Sequence, residues 1–356
     1  MEKFTKKYFL AANSAEGFVS EFSSVLNAED NWKTYIIKGG PGTGKSSFMK
    51  FIVTKAIENN LTYELCPCSS DPNSLDGVIL PQKRIAFLDG TAPHTVDPIF
   101  AGVGETILNF GDFWNEDILY SNKEKIIALQ KLNKAHHKTA SLYMQSLGKL
   151  LLDNYKTALA CTNKEKVNSF GFNLCKKYIP KGNGSGKEMV RFASGITPLG
   201  VVSYSKNLTI DNKNIIIIKD EFAAASNIII NKIKDYALQN GYNCLAFKNP
   251  FLPSLICDHL EIPELSLVIV REYKYMNFSL ETRRIHSRRF TSNKQLHLSR
   301  ERIKFNQKAI KELLLAAANS LSNAKLVHDK LESYYIKAMD FNKLTEFANS
   351  FCNKLF

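Results

Sequence analysis

No apolar run in this 356-residue chain approaches the ~18 residues needed to cross a membrane as a helix. The stretch Tyr8–Ala12 after the basic N-terminal residues is too short for a signal-peptide core, and Asn13 ends it. A cytoplasmic protein with no membrane partner is the expectation. Cysteine is sparse: the 7 residues are an odd number scattered from Cys66 to Cys352, which argues against a disulfide framework and for reduced thiols. Cys66 and Cys68 with His94 would offer three metal ligands, but no second close cysteine pair accompanies them, and ordinary thiols are the simpler reading. Arginine is almost missing from the first 190 residues, where Arg84 stands alone. That half has little guanidinium from which to build a lid or finger over a phosphoryl group.

The formal charge is nevertheless +13. Arginines gather later, at Arg271, Arg283, Arg284, Arg288, Arg289, Arg300 and Arg302. With Tyr273 and Phe290 interleaved, the segment from Arg271 to Lys304 suits contact with a polyanion or nucleic acid. A solvated helix face explains the same residues, and no recognised nucleic-acid motif lies beside them.

Between an apolar run, Tyr35-Ile36-Ile37, and a run with helical apolar spacing, Phe48 to Val53, stands Gly39-Gly40-Pro41-Gly42-Thr43-Gly44-Lys45-Ser46. This is the phosphate-loop pattern in its proper setting of strand, loop and helix. Glycines let the backbone take turns that a Cβ would oppose, so that successive N–H groups point at phosphate oxygens. The helix that follows adds its positive end. The nucleotide-binding set is therefore Gly39, Gly40, Pro41, Gly42, Thr43, Gly44, Lys45, Ser46 and Ser47, with Lys45 on the β- and γ-phosphates and Ser46 on Mg²⁺. A second acidic element is expected at the end of a buried strand. Ile85-Ala86-Phe87-Leu88 supplies the strand and Asp89 the carboxylate, making Asp89 the candidate magnesium and catalytic residue beside Lys45. Asp71, Asp76, His94, Asp97 and Glu105 are all near enough in sequence to orient an attacking water.

The chain repeats itself. Phe9, Gly17, Val19 and Ser20 pair with Phe192, Gly200, Val202 and Ser203, and the register continues through Ile52/Ile233, Asp76/Asp258 and Pro81/Pro263. Two tandem lobes follow: residues 1–180, a linker at 181–190, and residues 191–356. Each lobe ends in a long segment of helical periodicity, Glu124 to Leu159 and Glu301 to Ala338. The linker run Lys181 to Lys187 mimics a phosphate loop but has lysine for its first glycine and Glu188 for the hydroxyl residue. In the second lobe the loop reads Asp220-Glu221-Phe222-Ala223-Ala224-Ala225-Ser226-Asn227, and Arg271 stands opposite Asp89. Every glycine has gone and two carboxylates occupy the phosphate position, so that lobe is expected not to bind a magnesium nucleotide.

Ala11 to Phe18, Lys38 to Ser46, Cys68 to Val78 and Asp89 to His94 carry a resemblance to a little-characterised bacterial family of tandem P-loop ATPase-like proteins. It extends over nearly the whole chain. The resemblance implies an α/β P-loop NTPase fold with two Rossmann-like lobes, and binding and hydrolysis of ATP or GTP. Typical members have a second half that also looks like a working phosphate loop, and this sequence departs there. Three functions fit these residues: a single-site NTPase with a scaffold lobe, a small-molecule or nucleotide kinase, and a nucleotide-gated binding module. With Arg84 alone in the first lobe, an arginine finger would have to come from the second lobe or from another subunit; Arg271 follows the counterpart of the Asp89 strand, and Arg283, Arg284, Arg288 and Arg289 have the better reach.

Overall fold

The computed structural model describes residues 4–26, 28–210 and 212–356. In the first half, β1 (Phe4–Lys7) leads to a hairpin of β2 (Ala11–Ser14) and β3 (Gly17–Ser20), then β4 (Lys33–Lys38), α1 (Lys45–Glu58), β5 (Tyr63–Pro67) and β6 (Leu75–Leu80). It continues through β7 (Ile85–Asp89), β8 (Glu105–Asn109), α2 (Glu116–Ser121), α3 (Lys123–Ala160) and α4 (Lys164–Tyr178). The second half opens with β9 (Glu188–Arg191), β10 (Ser194–Thr197), β11 (Gly200–Ser203), β12 (Asn214–Lys219), α5 (Ser226–Gln239) and β13 (Cys244–Lys248). It closes with β14 (Cys257–Ile262), β15 (Leu267–Glu272), β16 (Arg284–His286), α6 (Asn293–Leu298), α7 (Arg300–Ala338) and α8 (Phe341–Leu355). Strand β9 starts within the stretch that the sequence assigns to the linker.

Each half builds a 6-stranded mixed sheet, and the two orders are the same: β1-β5-β6-β7-β4-β8 and β9-β13-β14-β15-β12-β16. The pairings also repeat. In the first sheet β1/β5, β7/β4 and β4/β8 are parallel, while β6 runs antiparallel to both neighbours. In the second, β9/β13, β15/β12 and β12/β16 are parallel and β14 is reversed. A Rossmann-like lobe leads one to expect parallel strands, and the reversal has a local cause. Only residues 81–84 separate β6 from β7, and only residues 263–266 separate β14 from β15. A parallel crossover needs a dozen or more residues. Equivalent residues meet where the halves join: Phe9 and Phe192 exchange backbone hydrogen bonds of 2.9 and 3.0 Å, as a pseudo-two-fold relation requires.

Alternation along the strands divides the core into layers. Ile36 of β4 and Ile217 of β12 belong to one cluster with Leu88, Phe247 and Val270, so the inner faces of both sheets share a core. Ile37, one residue on, turns to α1 and packs with Phe48, Met49 and Ile52. Ile216 and Ile218 turn to α5 and pack with Ile229, Ile230 and Ile233. Strands buried on both faces read as unbroken apolar runs, which is how these runs appear in the sequence.

The outer helices cross over. Val167 and Cys175 of α4 pack with α5 on the second sheet, whereas Leu344, Ala348 and Cys352 of α8 pack with α1 on the first. The spatial units therefore do not follow the sequence boundaries at 180 and 191. Helix length is the reason: α3 has 38 residues and α7 has 39, each reaching about 57 Å at 1.5 Å per residue. Each carries the chain from its own sheet to the other. Among the described residues no helix is long and apolar enough to cross a membrane.

Candidate functional site

Strand β4 ends at Lys38, and the glycine-rich loop turns directly into α1, whose first residue is Lys45. Gly42 and Gly44 adopt φ of +69° and +86°, a region that side chains oppose. Thr43 braces the turn by donating its hydroxyl to the Gly40 carbonyl at 2.8 Å. The Lys45 ammonium folds back onto the loop, donating to the carbonyls of Gly40 at 2.7 Å and Gly39 at 3.3 Å, and lies 3.6 Å from Asp89. Ser46 accepts the Leu75 N–H at 2.9 Å, tying the start of α1 to the start of β6.

The pairing of β6 with β7 sets Gly77 opposite Leu88, which brings Asp76 beside Asp89 at the same end of the sheet. Asp89 accepts both the N–H and the hydroxyl of Thr91 on one oxygen. Asp76 is buried, and that burial pushes its carboxyl up to about 6, with His94 acting against the rise and Asp89 adding to it. His94 lies against the Phe22 ring, centroids 4.6 Å apart and planes at 5°, with its Nε2 3.7 Å from Asp76. One ligand atom from each of Asp76, Asp89 and His94 falls within 4.8 Å of the others. Two carboxylates and an imidazole suit a divalent cation. Among the described residues His94 thus converges with carboxylates and not with the cysteine pair.

The remaining water-orienting candidates separate. Glu105 is buried and accepts the N–H groups of Ile99 and Phe100, so its role is to shape that loop. Asp97 is exposed and pairs with Lys38 at 2.9 Å. Asp71 holds its own turn through Asn73 and Ser74 and reaches Lys325 of α7 at 3.4 Å.

Loop, carboxylates and His94 line a chamber of ≈ 960 Å³ together with residues of α3 and α7. These helices run antiparallel, as Asn133 donating to the Ala324 carbonyl and Asn306 donating to Asn154 show. Helix α7 lies directly on the loop. A Cβ at Gly40 would stand 2.5 Å from the Tyr335 ring, and one at Gly42 would stand 2.9 Å from the Glu332 carbonyl. Glu332 is held below the usual carboxylate range by His328 and, to a smaller degree, by the Gly42 N–H. Lys134, His137, Lys325, His328, Glu332 and Tyr335 thus belong to the site, although the sequence points only to core-facing helical stripes. Their signal was present as polar residues recurring every three or four positions within those stripes.

Among the described residues no arginine lines the chamber. The proposed finger residues lie elsewhere in this chain: Arg284 pairs with Glu272 at 2.9 Å, Arg289 covers the Phe170 ring, and Arg283 and Arg288 are exposed. The lysines of α3 and α7 supply the cations instead. Tyr273 and Phe290, the expected stacking residues, are buried, as is Arg271. Asp220 accepts the N–H groups of Ala225 and Ser226 at 2.9 Å each, while Arg271 donates to Asp258 at 2.8 and 2.5 Å. Side chains therefore fill the second lobe's counterpart of the loop site. Set against known proteins, the chain matches no family model, no curated protein and no solved structure.

Proposed function

We propose that the first lobe binds a nucleoside triphosphate, ATP or GTP, with Mg²⁺ and hydrolyses it at one site, and that the second lobe is an inactive scaffold. A P-loop NTPase fold for the first lobe is part of the same reading. The observation that carries it is a glycine loop opening α1, with the Lys45 ammonium 3.6 Å from Asp89 at the floor of a large chamber. The residues fit the ligand: Gly42 and Gly44 hold backbone angles that side chains oppose, and the α1 terminus favours an anion. Lys45 would exchange the Gly39 and Gly40 carbonyls for phosphate oxygens. Ser46 and Asp89 would hold the cation, which when bound neutralises charge on the β- and γ-phosphates. Asp76 and His94, buried beside Asp89, are best placed to orient a water and take its proton.

The test is nucleotide titration and turnover of the intact chain beside Lys45→Ala. Loss of binding in the variant supports a single site; full stoichiometric binding that survives it places the nucleotide elsewhere. The kinase reading is favoured by one observation, the polar and cationic wall that α3 and α7 present to the loop. Phosphate release that requires no acceptor argues against it.

A further inference from the structure

The two sheets end in equivalent outer strands, β8 and β16, each paired on one side. Such a strand presents unpaired N–H and C=O groups, and folded chains commonly blunt the edge with lysine or proline. Strand β8, Glu105-Thr106-Ile107-Leu108-Asn109, carries neither. Gly102 donates to the Glu105 carbonyl at 2.7 Å, so the preceding loop covers the start of the strand. That loop adds apolar surface. Ile99 is 64% and Val103 82% exposed, and Phe100 and Ile107 are exposed as well. Single exposed apolar residues are ordinary, but four of them within residues 99–107 at an open strand edge mark a contact surface.

The two edges are alike in topology and opposite in charge. From Ile85 to Asn122 the sequence holds no lysine or arginine, in a chain that carries 47 of them. Asp97 of this segment is held by Lys38. Asp112, Glu116 and Asp117 are exposed and, among the described residues, form no ion pair. At the other edge, the segment from Thr282 to Arg300 holds no carboxylate. Arg284 pairs with Glu272 and Arg289 lies over Phe170. Arg283 and Arg288 remain exposed and, among the described residues, without an ion pair, and His286 and Lys294 are exposed in the same segment. Leu298 and Phe305 supply exposed apolar surface there. One chain does not bring the two surfaces together. Arg300 opens α7 after the arginine segment, whereas Asn115 of the acidic segment donates to the Ala338 carbonyl at the far end of the same helix, about 57 Å away.

We infer that this chain associates head to tail: the apolar, acidic surface along β8 and α2 of one copy docks on the arginine-rich surface along β16 and α6 of the next. Apolar contact supplies affinity, and the opposed charges set the pairing and reject like edges. The inference goes beyond the proposed nucleotide site and does not depend on what the loop binds. It gives the arginine segment an acidic protein surface as its partner, in place of a nucleic acid.

Sedimentation velocity of the intact protein over a range of concentrations tests it. The expected result is association that weakens about tenfold or more between roughly 0.05 and 0.5 M salt, because exposed charges are screened. Ile99→Lys/Val103→Lys and, separately, Arg283→Glu/Arg288→Glu should each be monomeric where the parent chain associates. Mixed in equal amounts they should form a dimer and nothing larger, since each keeps the surface that the other has lost. The altered side chains are at the surface, and unchanged thermal unfolding separates lost association from lost fold. A parent chain that stays monomeric up to about 100 μM, the range of a weak specific contact, would overturn the inference. Variants that associate as the parent does, or a mixture that stays monomeric, would overturn it equally. Loss of oligonucleotide binding in Arg283→Glu/Arg288→Glu with no change in sedimentation would assign that surface to nucleic acid instead.

Discussion

The segments Gly39–Ser46 and Asp220–Asn227 occupy the same place in two sheets of one topology, yet the first faces a chamber of ≈ 960 Å³ and the second a gap of ≈ 60 Å³. Both sit at the N-terminus of a helix, where unpaired N–H groups demand an anion. The second lobe supplies that anion from its own chain. Asp220 places its carboxylate on the N–H groups that open α5, and Arg271 sets a guanidinium in the place that corresponds to Asp89. The backbone remembers part of the older shape. Ala223 keeps a φ of +63°, matching Gly42 at +69°, whereas Ala225 has returned to −93° where Gly44 stands at +86°. The tether to the next strand also persists, with Asn227 accepting the Cys257 N–H at 3.0 Å as Ser46 accepts that of Leu75 at 2.9 Å.

If the second site is sealed by charge, breaking the seal should cost the most. Arg271 and Asp258 are both buried, and Arg271→Ala leaves a carboxylate without its partner. A loss of about 3–5 kcal/mol in urea unfolding is expected. Adding Asp258→Asn should recover part of it. A loss below about 1 kcal/mol, typical of exposed pairs, would mean that solvent already reaches the pair. The first lobe answers to function instead. Lys45→Ala should lower nucleotide affinity and turnover by ~10²-fold, about 2.7 kcal/mol, while the equivalent Ser226→Ala changes neither. Equal effects from the two would erase the difference between the lobes.

Much of this division was legible in the sequence because it is written in short-range chemistry. A glycine or its loss, a lysine or its loss, and a carboxylate at a strand end each have meaning within a few residues. The paired repeats anticipated one topology built twice, and the sheets have it. What stayed hidden depends on residues far apart in sequence. Nothing near Glu332 or Tyr335 announces that α7 will lie on a loop some three hundred residues earlier, and the crossing of α4 and α8 between sheets follows from helix length. The surroundings of the arginine cluster stayed hidden for the same reason. Its charge is visible locally, but Glu272 and Asp258, which hold Arg284 and Arg271, come to them only by folding.

Acid should separate the lobes further. His259 of β14 stands where the first lobe has Gly77, and burial pushes it down to about 4. It accepts the Arg271 N–H on Nδ1, so the neutral ring is the form the fold requires. An unfolded histidine takes up its proton near pH 6.5, so this contribution is intact above that pH and is lost as the pH falls toward 4. The loss reaches roughly 2 kcal/mol at pH 5. His259→Gln should flatten the stability profile between those values. A profile equally steep in the variant would assign the acid sensitivity to other groups.

The smallest effect concerns the stand-in anion. Asp220→Ala removes the carboxylate from the N–H groups of Ala225 and Ser226 and should cost about 1–2 kcal/mol in urea unfolding, the range for a lost helix cap. Removing that charge does not recreate a phosphate site. Arg271 still donates to Asp258 and to the Asp220 carbonyl, and Glu221, Ala223 and Ala225 still carry side chains where the first lobe has Gly40, Gly42 and Gly44. The variant should therefore bind no second equivalent of nucleotide, even though the α5 terminus has lost its own anion. A second equivalent appearing in Asp220→Ala would show that one carboxylate, and not the loss of the glycines, is what closed this site.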